Sequence, residues 1–204
     1  MRCRSYEVWG ICKMYKNKAK TIRLKKIARL VKGSKILDIG FVNTPNIYLK
    51  GDIVGLDIKK VPIPENYSSI IVHDLNKKVM PFPDESFDTI IAGEIIEHLQ
   101  SPYNFLKEIR RILKPQGKLL LTTPQAHFFG VILHNLLMKW IPDPNKGGHL
   151  YEFSMMSMVR LLKAIGFRTK KRHGCVLTIP KTKLVFSCSI PILTYQVLYE
   201  CEKA

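Results

Sequence analysis

Between residues 35 and 122 the chain carries five short apolar runs, and this succession limits the fold more than any other feature. The runs are Lys35–Ile39 (KILDI), Asp52–Asp57 (DIVGLD), Ser69–His73 (SIIVH), Asp88–Ala92 (DTIIA) and Lys118–Thr122 (KLLLT). Near-continuous apolar runs, rather than alternating ones, indicate strands buried on both faces. Helix-length connections between such strands indicate parallel pairing, and hence an α/β chain.

Helix signals agree. Ser101 can N-cap a helix with Pro102 in its first turn and an apolar stripe of Phe105, Leu106, Ile109, Ile112 and Leu113. The turn Lys114-Pro115-Gln116-Gly117 then stops it. A later helix from Ser154 carries Met158, Val159, Leu161, Leu162 and Ile165, and Gly166 closes it. Near the start, Lys18–Lys32 reads as an amphipathic helix ending at Gly33. Ile22, Leu24, Ile27, Leu30 and Val31 form its apolar face, with Lys and Arg on the wet side. After Phe167 the pattern predicts a strand through Val176, a loop around Pro180–Pro191, and a last strand near Tyr195–Cys201. The tail strands form an antiparallel pair at the sheet edge.

A chain of 204 residues suits one domain with additions. Residues 1–34 read as a basic helical extension and 35–204 as the main domain, with 126–153 inserted as a substrate cover. The longest apolar stretch, Ala126–Ile141, is interrupted by His134, Asn135 and Lys139 and is too short to span a bilayer. It reads as core plus lid. No apolar signal segment is legible at the N-terminus. Cysteines 3, 12, 175, 188 and 201 form no CxxC pair and no metal spacing with His. They read as reduced thiols of a cytoplasmic protein, and no metal is expected. The net charge of +17 fits an anionic partner, RNA or an acidic membrane surface to which the protein would be peripheral. A Lys-rich surface selected for solubility explains it equally well.

The chemistry lies at the strand ends. In an open parallel sheet, ligands bind beyond the carboxyl ends of the strands, where strand order reverses. Asp38, Asp57, Asp74 and Glu94 stand at four successive ends. Any one of them alone could be a helix N-cap. An adenosyl cofactor explains all four. Asp57, with Ile58 after it, would accept the ribose hydroxyls; Asp74 would accept from the adenine amino group, with the Leu75 N–H serving a ring nitrogen. Asp38 and Gly40 would sit near the methionine end, Gly40 allowing close backbone approach.

The stretch KILDIG…GDIVGLDI…VHDLNKKVMPFPDESFDTIIAGEIIEHLQSPYNFLKEIRRILKPQGKLLLTTP resembles the class I S-adenosylmethionine-dependent methyltransferases of the type 11 group. The resemblance covers Lys35–Pro124 and is most specific from Asp74 onward. It implies a Rossmann-like, doubly wound, mostly parallel seven-stranded sheet with helices on both faces. It also implies S-adenosyl-L-methionine as cofactor, S-adenosyl-L-homocysteine as product, and Glu94 facing the methionine end. The chain departs from the family in the loop after the first strand, where only Gly40 of the usual glycines is kept. His98 and His149 are the candidate catalytic bases for an acceptor hydroxyl or amine, while His73 is expected beside adenine. The expected activity is methyl transfer to a small-molecule, lipid or glycan acceptor. The alternatives are an RNA or protein methyltransferase, or a catalytically silent binding protein on the same fold.

Overall fold

The computed structural model of the chain describes residues 5–77, 79–125, 148–179 and 184–204. β1 (Lys35–Ile39) and β2 (Asp52–Asp57) have the bounds of their apolar runs. β3 (Ser69–Val72) ends one residue early, and β4 (Phe87–Gly93) is one residue longer at each end. β5 (Leu113–Pro124) begins directly after helix α2 (Pro102–Ile112). Its pairing with β4 shifts between Phe87 and Thr89, so the predicted turn Lys114–Gly117 is a bulge inside the strand. Helix α3 (Met155–Ile165) precedes β6 (Phe167–Gly174), β7 (Val176–Ile179), β8 (Leu184–Ser187) and β9 (Gln196–Lys203).

Seven strands form one sheet in the order β3-β2-β1-β4-β5-β9-β6. The first five are parallel, and β9 enters antiparallel between β5 and β6. The expected antiparallel pair at the edge is present, and the strand order reverses between β1 and β4.

Both helix caps follow their sequence signals. Ser101 accepts from the Asn104 N–H at 3.3 Å. Ser154 and Ser157 exchange side-chain and backbone bonds at 2.9 and 3.0 Å, a capping box, and Gly166 closes α3 at φ 92°. α2 and α3 cover one face of the sheet, over Leu37, Ile90, Leu119 and Leu121. Helix α1 (Ser5–Leu30) covers the other through Ile27, over Ile36, Ile53, Ile91 and Leu120.

Three expectations need correction. α1 begins at Ser5, well before Lys18, and one of its arginines, Arg23, is buried rather than on the wet face. The β1–β2 and β2–β3 connections contain no helix, because α1 occupies that face of the sheet. The predicted loop after Val176 contains the β7–β8 hairpin, with Val176 opposite Ser187 and a buried Val185 packed in the cluster below α1. Residues 126–147 of the expected cover, residues 180–183 of the expected loop and Cys3 lie outside the described residues.

Candidate active site

A cleft of about 350 Å³ opens at the carboxyl end of the sheet where the strand order reverses. The end of β1 brings Asp38 and Gly40 to it, the end of β2 brings Asp57 and Ile58, and β4 with its following turn brings Gly93, Glu94 and His98. α1 closes the side with Arg23, Leu24 and Ile27. Ligand sites of doubly wound sheets form at such a switch point.

The first loop keeps one glycine because one position requires it. Gly40 has φ +73°, and a Cβ there would lie 3.2 Å from Ile95 Cδ1. Its N–H donates to Leu56 O at 2.8 Å. Beyond it, Phe41 packs on Tyr67, ring centroids 5.1 Å apart, and presses so closely on Gly55 that a Cβ there would meet the ring at 2.5 Å. A compact turn centred on Asn46 replaces further glycines. Asn46 donates from its side chain to Leu24 O at 3.1 Å and from its backbone to Tyr67 Oη at 3.0 Å. The Tyr67 hydroxyl donates in turn to Asp38 at 2.5 Å. Burial pushes the Asp38 carboxyl up to about 7, against the opposing pull of the Tyr67 bond and of Arg23.

Asp57 accepts from Val42 N–H and Lys59 N–H, each at 3.1 Å, so it ties the first loop to the second strand. Each carboxylate oxygen retains a further lone pair for a ligand hydroxyl. Asp74 and Leu75 follow β3 and are not among the residues lining the cleft; Asp74 accepts from Asn76 N–H at 3.0 Å. His73 donates its N–H to Asp57 O at 2.9 Å, beside the second strand.

Glu94 adopts a left-handed backbone, φ 55°, with its N–H held by Thr122 O at 2.9 Å. Gln196 donates to its Oε2 at 2.7 Å, and Arg23 Nη1 lies 3.4 Å from its Oε1. That ion pair lacks hydrogen-bond geometry. Arg23 Nε, Glu94 Oε1 and Thr122 Oγ1 are all buried without a hydrogen-bond partner. Buried polar groups are rarely left so.

A second polar group stands next to the first. His98, on the one-turn 3-10 helix Ile96–His98, donates from Nδ1 to Gly148 O at 2.9 Å. A carbonyl only accepts, so the proton is on Nδ1 and Nε2 keeps its lone pair in the neutral ring. His149 meets His98 edge-on, centroids 4.7 Å apart. Burial, then the neighbouring His98, lowers its pKa and favours the neutral ring. The 148–151 segment is clipped in place by Leu150 N–H and Tyr151 N–H donating to Glu97 O at 2.8 and 3.2 Å. Glu97 is buried; desolvation, then Glu94, pushes its carboxyl up to about 8. Its Oε2 accepts from Thr123 Oγ1 at 3.3 Å and its Oε1 has no partner. Glu97, His98 and His149 each bring one donor atom within 4.8 Å of the others. These donor types suit a divalent cation, although donors around a bound zinc stand only about 3.3 Å apart.

Arg23, Tyr67, Glu97 and Gln196 are absent from the residues picked by sequence. Only Arg23 leaves a readable signal: it falls at four-residue spacing between Ala19 and Ile27, on the inward face of α1.

A protein-family description, "Methyltransferase domain", matches residues 15–171, well over half of the chain. The chain belongs to the methyltransferase domain family. The resemblance seen over Lys35–Pro124 is thus borne out. The ubiquinone biosynthesis O-methyltransferase of Roseobacter denitrificans is 29% identical over 162 residues, covering 71% of this chain and 64% of that protein. A probable S-adenosylmethionine-dependent methyltransferase of Mycolicibacterium smegmatis is 24% identical over 157 residues, covering 74% and 58%. This chain therefore spans less than two thirds of the length of either relative. Among solved structures, a SAM-dependent methyltransferase of Thermotoga maritima, described as a possible histamine N-methyltransferase, aligns at TM-score 0.68 and 18% identity. That alignment covers 96% of this chain and 100% of that one. The 1,6-didemethyltoxoflavin-N1-methyltransferase of Burkholderia thailandensis, solved with S-adenosylhomocysteine, aligns at TM-score 0.60 and 14% identity, covering 92% and 77%. These structures establish the shared fold, a mostly parallel seven-stranded methyltransferase sheet.

Proposed function

We propose that this chain transfers the methyl group of S-adenosylmethionine to a small-molecule acceptor, lipids and glycans included. The observation that carries the reading is the pair of buried Arg23 and half-buried Glu94, with unused polar atoms at the switch point. The methionyl end of the cofactor is a zwitterion. Its carboxylate suits Arg23, and its ammonium suits Glu94, which Gln196 steadies. Asp57 would accept the ribose hydroxyls, with Ile58 against the adenine. Gly93, where an added Cβ would meet only Thr122 Oγ1 at 3.7 Å, leaves open floor for the ligand. Asp74 and Leu75 are kept as the proposed adenine contacts beyond the cleft wall.

The bound cofactor supplies an electrophilic methyl on a sulfonium, so the chain's task is alignment and proton removal. His98 and His149 are the proposed proton acceptors. Gly148 O sets the tautomer of the first, and burial keeps the second neutral. The names of the relatives support a small-molecule acceptor, on oxygen in one and on nitrogen in another. The division into 1–34 and 35–204 stays part of this proposal, with Arg23 as the extension's contribution to the cleft. So does the cover at 126–153. Among the described residues no helix is long and apolar enough to cross a membrane. A cytoplasmic location is our reading, supported by the free thiols of Cys175, Cys188 and Cys201.

Calorimetric titration of S-adenosylmethionine tests the reading. Micromolar binding is expected, weakened about tenfold or more in Asp57→Asn, which keeps the shape but not the charge. No heat with a folded wild-type chain would transfer support to the silent-relative reading.

A further inference from the structure

We propose that the turn through Ile190, Ile192 and Leu193 docks the chain on an anionic lipid bilayer, with the mouth of the cleft at the membrane surface. Resting on the methyl-transfer reading, this specifies the acceptor as an amphiphile held at the lipid–water boundary.

The first support is exposure on a rigid turn. Ile190, Ile192 and Leu193 are 54%, 61% and 44% exposed, and Phe186 on β8, four residues before Ile190 in the chain, is exposed as well. The segment that carries them is firmly built. Ser189 O accepts from Gly174 N–H at 3.1 Å, and Leu193 N–H donates to Ile190 O at 3.2 Å. Thr194 is fully buried, and its hydroxyl reaches Pro191 O and Gln196 O, each at 3.0 Å. Lys26 of α1 donates to Gly174 O and Cys188 O at 2.7 and 3.1 Å. Three aliphatic side chains held outward by a fixed backbone mark an interaction surface rather than a frayed loop.

The second support is charge. From Phe153 to Tyr199 the chain has no Asp or Glu and eight Lys or Arg. Lys170, Lys171 and Arg172 are exposed on β6, whose last residue, Gly174, bonds to Ser189 at the base of the turn. Lys170 is partly offset by Glu202 at 3.3 Å. A bilayer accepts both features at once: anionic headgroups meet the basic strand, and the acyl boundary takes the aliphatic side chains. RNA uses the charge but gives Ile and Leu no partner, since its contacts are phosphates, stacked bases and polar edges.

The third support is position. Tyr195 O accepts from Gln125 N–H at 2.8 Å, and Gln196 holds Glu94, so the turn adjoins the cofactor end of the cleft. In the segment clipped to Glu97 on the acceptor side, Leu150 is exposed, as is Met156 at the start of α3. Apolar side chains thus stand on both the cofactor and the acceptor sides.

The test is co-sedimentation of the full chain with vesicles of phosphatidylglycerol and phosphatidylcholine, against phosphatidylcholine alone, at physiological salt. Wild type is expected to bind the mixed vesicles. Combining Ile192→Asp and Leu193→Asp is expected to weaken binding at least about tenfold, since it removes the inserted apolar area. Lys171→Glu with Arg172→Glu is expected to weaken it as well and to flatten its salt dependence. Each variant is checked by thermal melting and by S-adenosylmethionine titration, both expected unchanged. Unchanged vesicle binding by the Ile192/Leu193 variant overturns the proposal. So does a wild type that ignores vesicles while binding an RNA oligomer. Loss of cofactor binding by wild type defeats the methyl-transfer reading separately, whatever the vesicles show.

Discussion

Asp38 shows how one buried side chain links stability and pH at the candidate cleft. Its carboxyl is pushed up to about 7 by burial, from an ordinary value near 3.8. The folded chain therefore holds this proton more tightly than the unfolded chain. The resulting stabilisation is complete below about pH 4 and is lost as pH rises through about 7. Asp38→Asn keeps an acceptor for the Tyr67 hydroxyl but cannot titrate. Denaturant melts between pH 4 and 7 should show a shallower decline for the variant, by up to about 1.4 kcal/mol per pH unit. Equal slopes would contradict this account. Glu97, raised to about 8, contributes a decline of the same sign that persists in the variant. At Gly55 the constraint is steric. Gly55→Ala drives a methyl into the Phe41 ring and should cost about 1–3 kcal/mol in chemical denaturation. It should also weaken cofactor binding, because Phe41 lines the cleft.

At the level of elements, the segment most useful for recognition is structural rather than catalytic. In Pro81–Asp88, Phe82 packs edge-on against Phe87, ring centroids 4.9 Å apart. Arg111 of α2 donates to Phe82 O and Asp84 at 2.8 Å each, to Met80 O at 3.1 Å, and to Glu108. Asp88 accepts from Ser34 and Lys35 N–H groups and from Lys114, at the end of the sheet opposite the cleft. Arg111→Ala should lower stability by about 1–3 kcal/mol in denaturant melts, since it breaks the ion pairs with Glu108 and Asp84 and leaves Phe82 O without its donor, while Glu108 keeps Met80 N–H and Met80 O keeps Phe82 N–H. It should leave the cofactor dissociation constant nearly unchanged. Ser154→Ala removes the N-cap of α3 and should cost about 1 kcal/mol by the same assay.

The strands β1 and β2 were legible to the residue because a parallel strand buried on both faces reads as an uninterrupted apolar run. The β7–β8 hairpin was not. Its strands cover α1 rather than extend the main sheet, and two prolines nearby suggested a loop. Within the cleft, Asp57 and Glu94 were visible as strand-end carboxylates. Tyr67 and Gln196 reach the site from distant segments, so no local pattern marks them.

For the whole molecule, the proposed cofactor site draws on several parts of the chain that meet at one end of the sheet. α1 brings Arg23, the ends of β1, β2 and β4 around the switch point bring Asp38, Asp57 and Glu94, and the returning β9 brings Gln196. The net charge of +17 lies over this frame unevenly, with none of its offsetting carboxylates between Phe153 and Tyr199. The central claim is that Arg23 and Glu94 recognise the amino-acid end of the cofactor. Calorimetry with two ligands, S-adenosylhomocysteine and 5′-methylthioadenosine, isolates that contribution, because the second lacks the amino-acid end. Wild type should prefer S-adenosylhomocysteine by about a hundredfold, and Arg23→Ala should reduce the preference at least about tenfold while leaving 5′-methylthioadenosine binding little changed. An equal preference in wild type and variant would contradict the claim and remove Arg23 from the cofactor site.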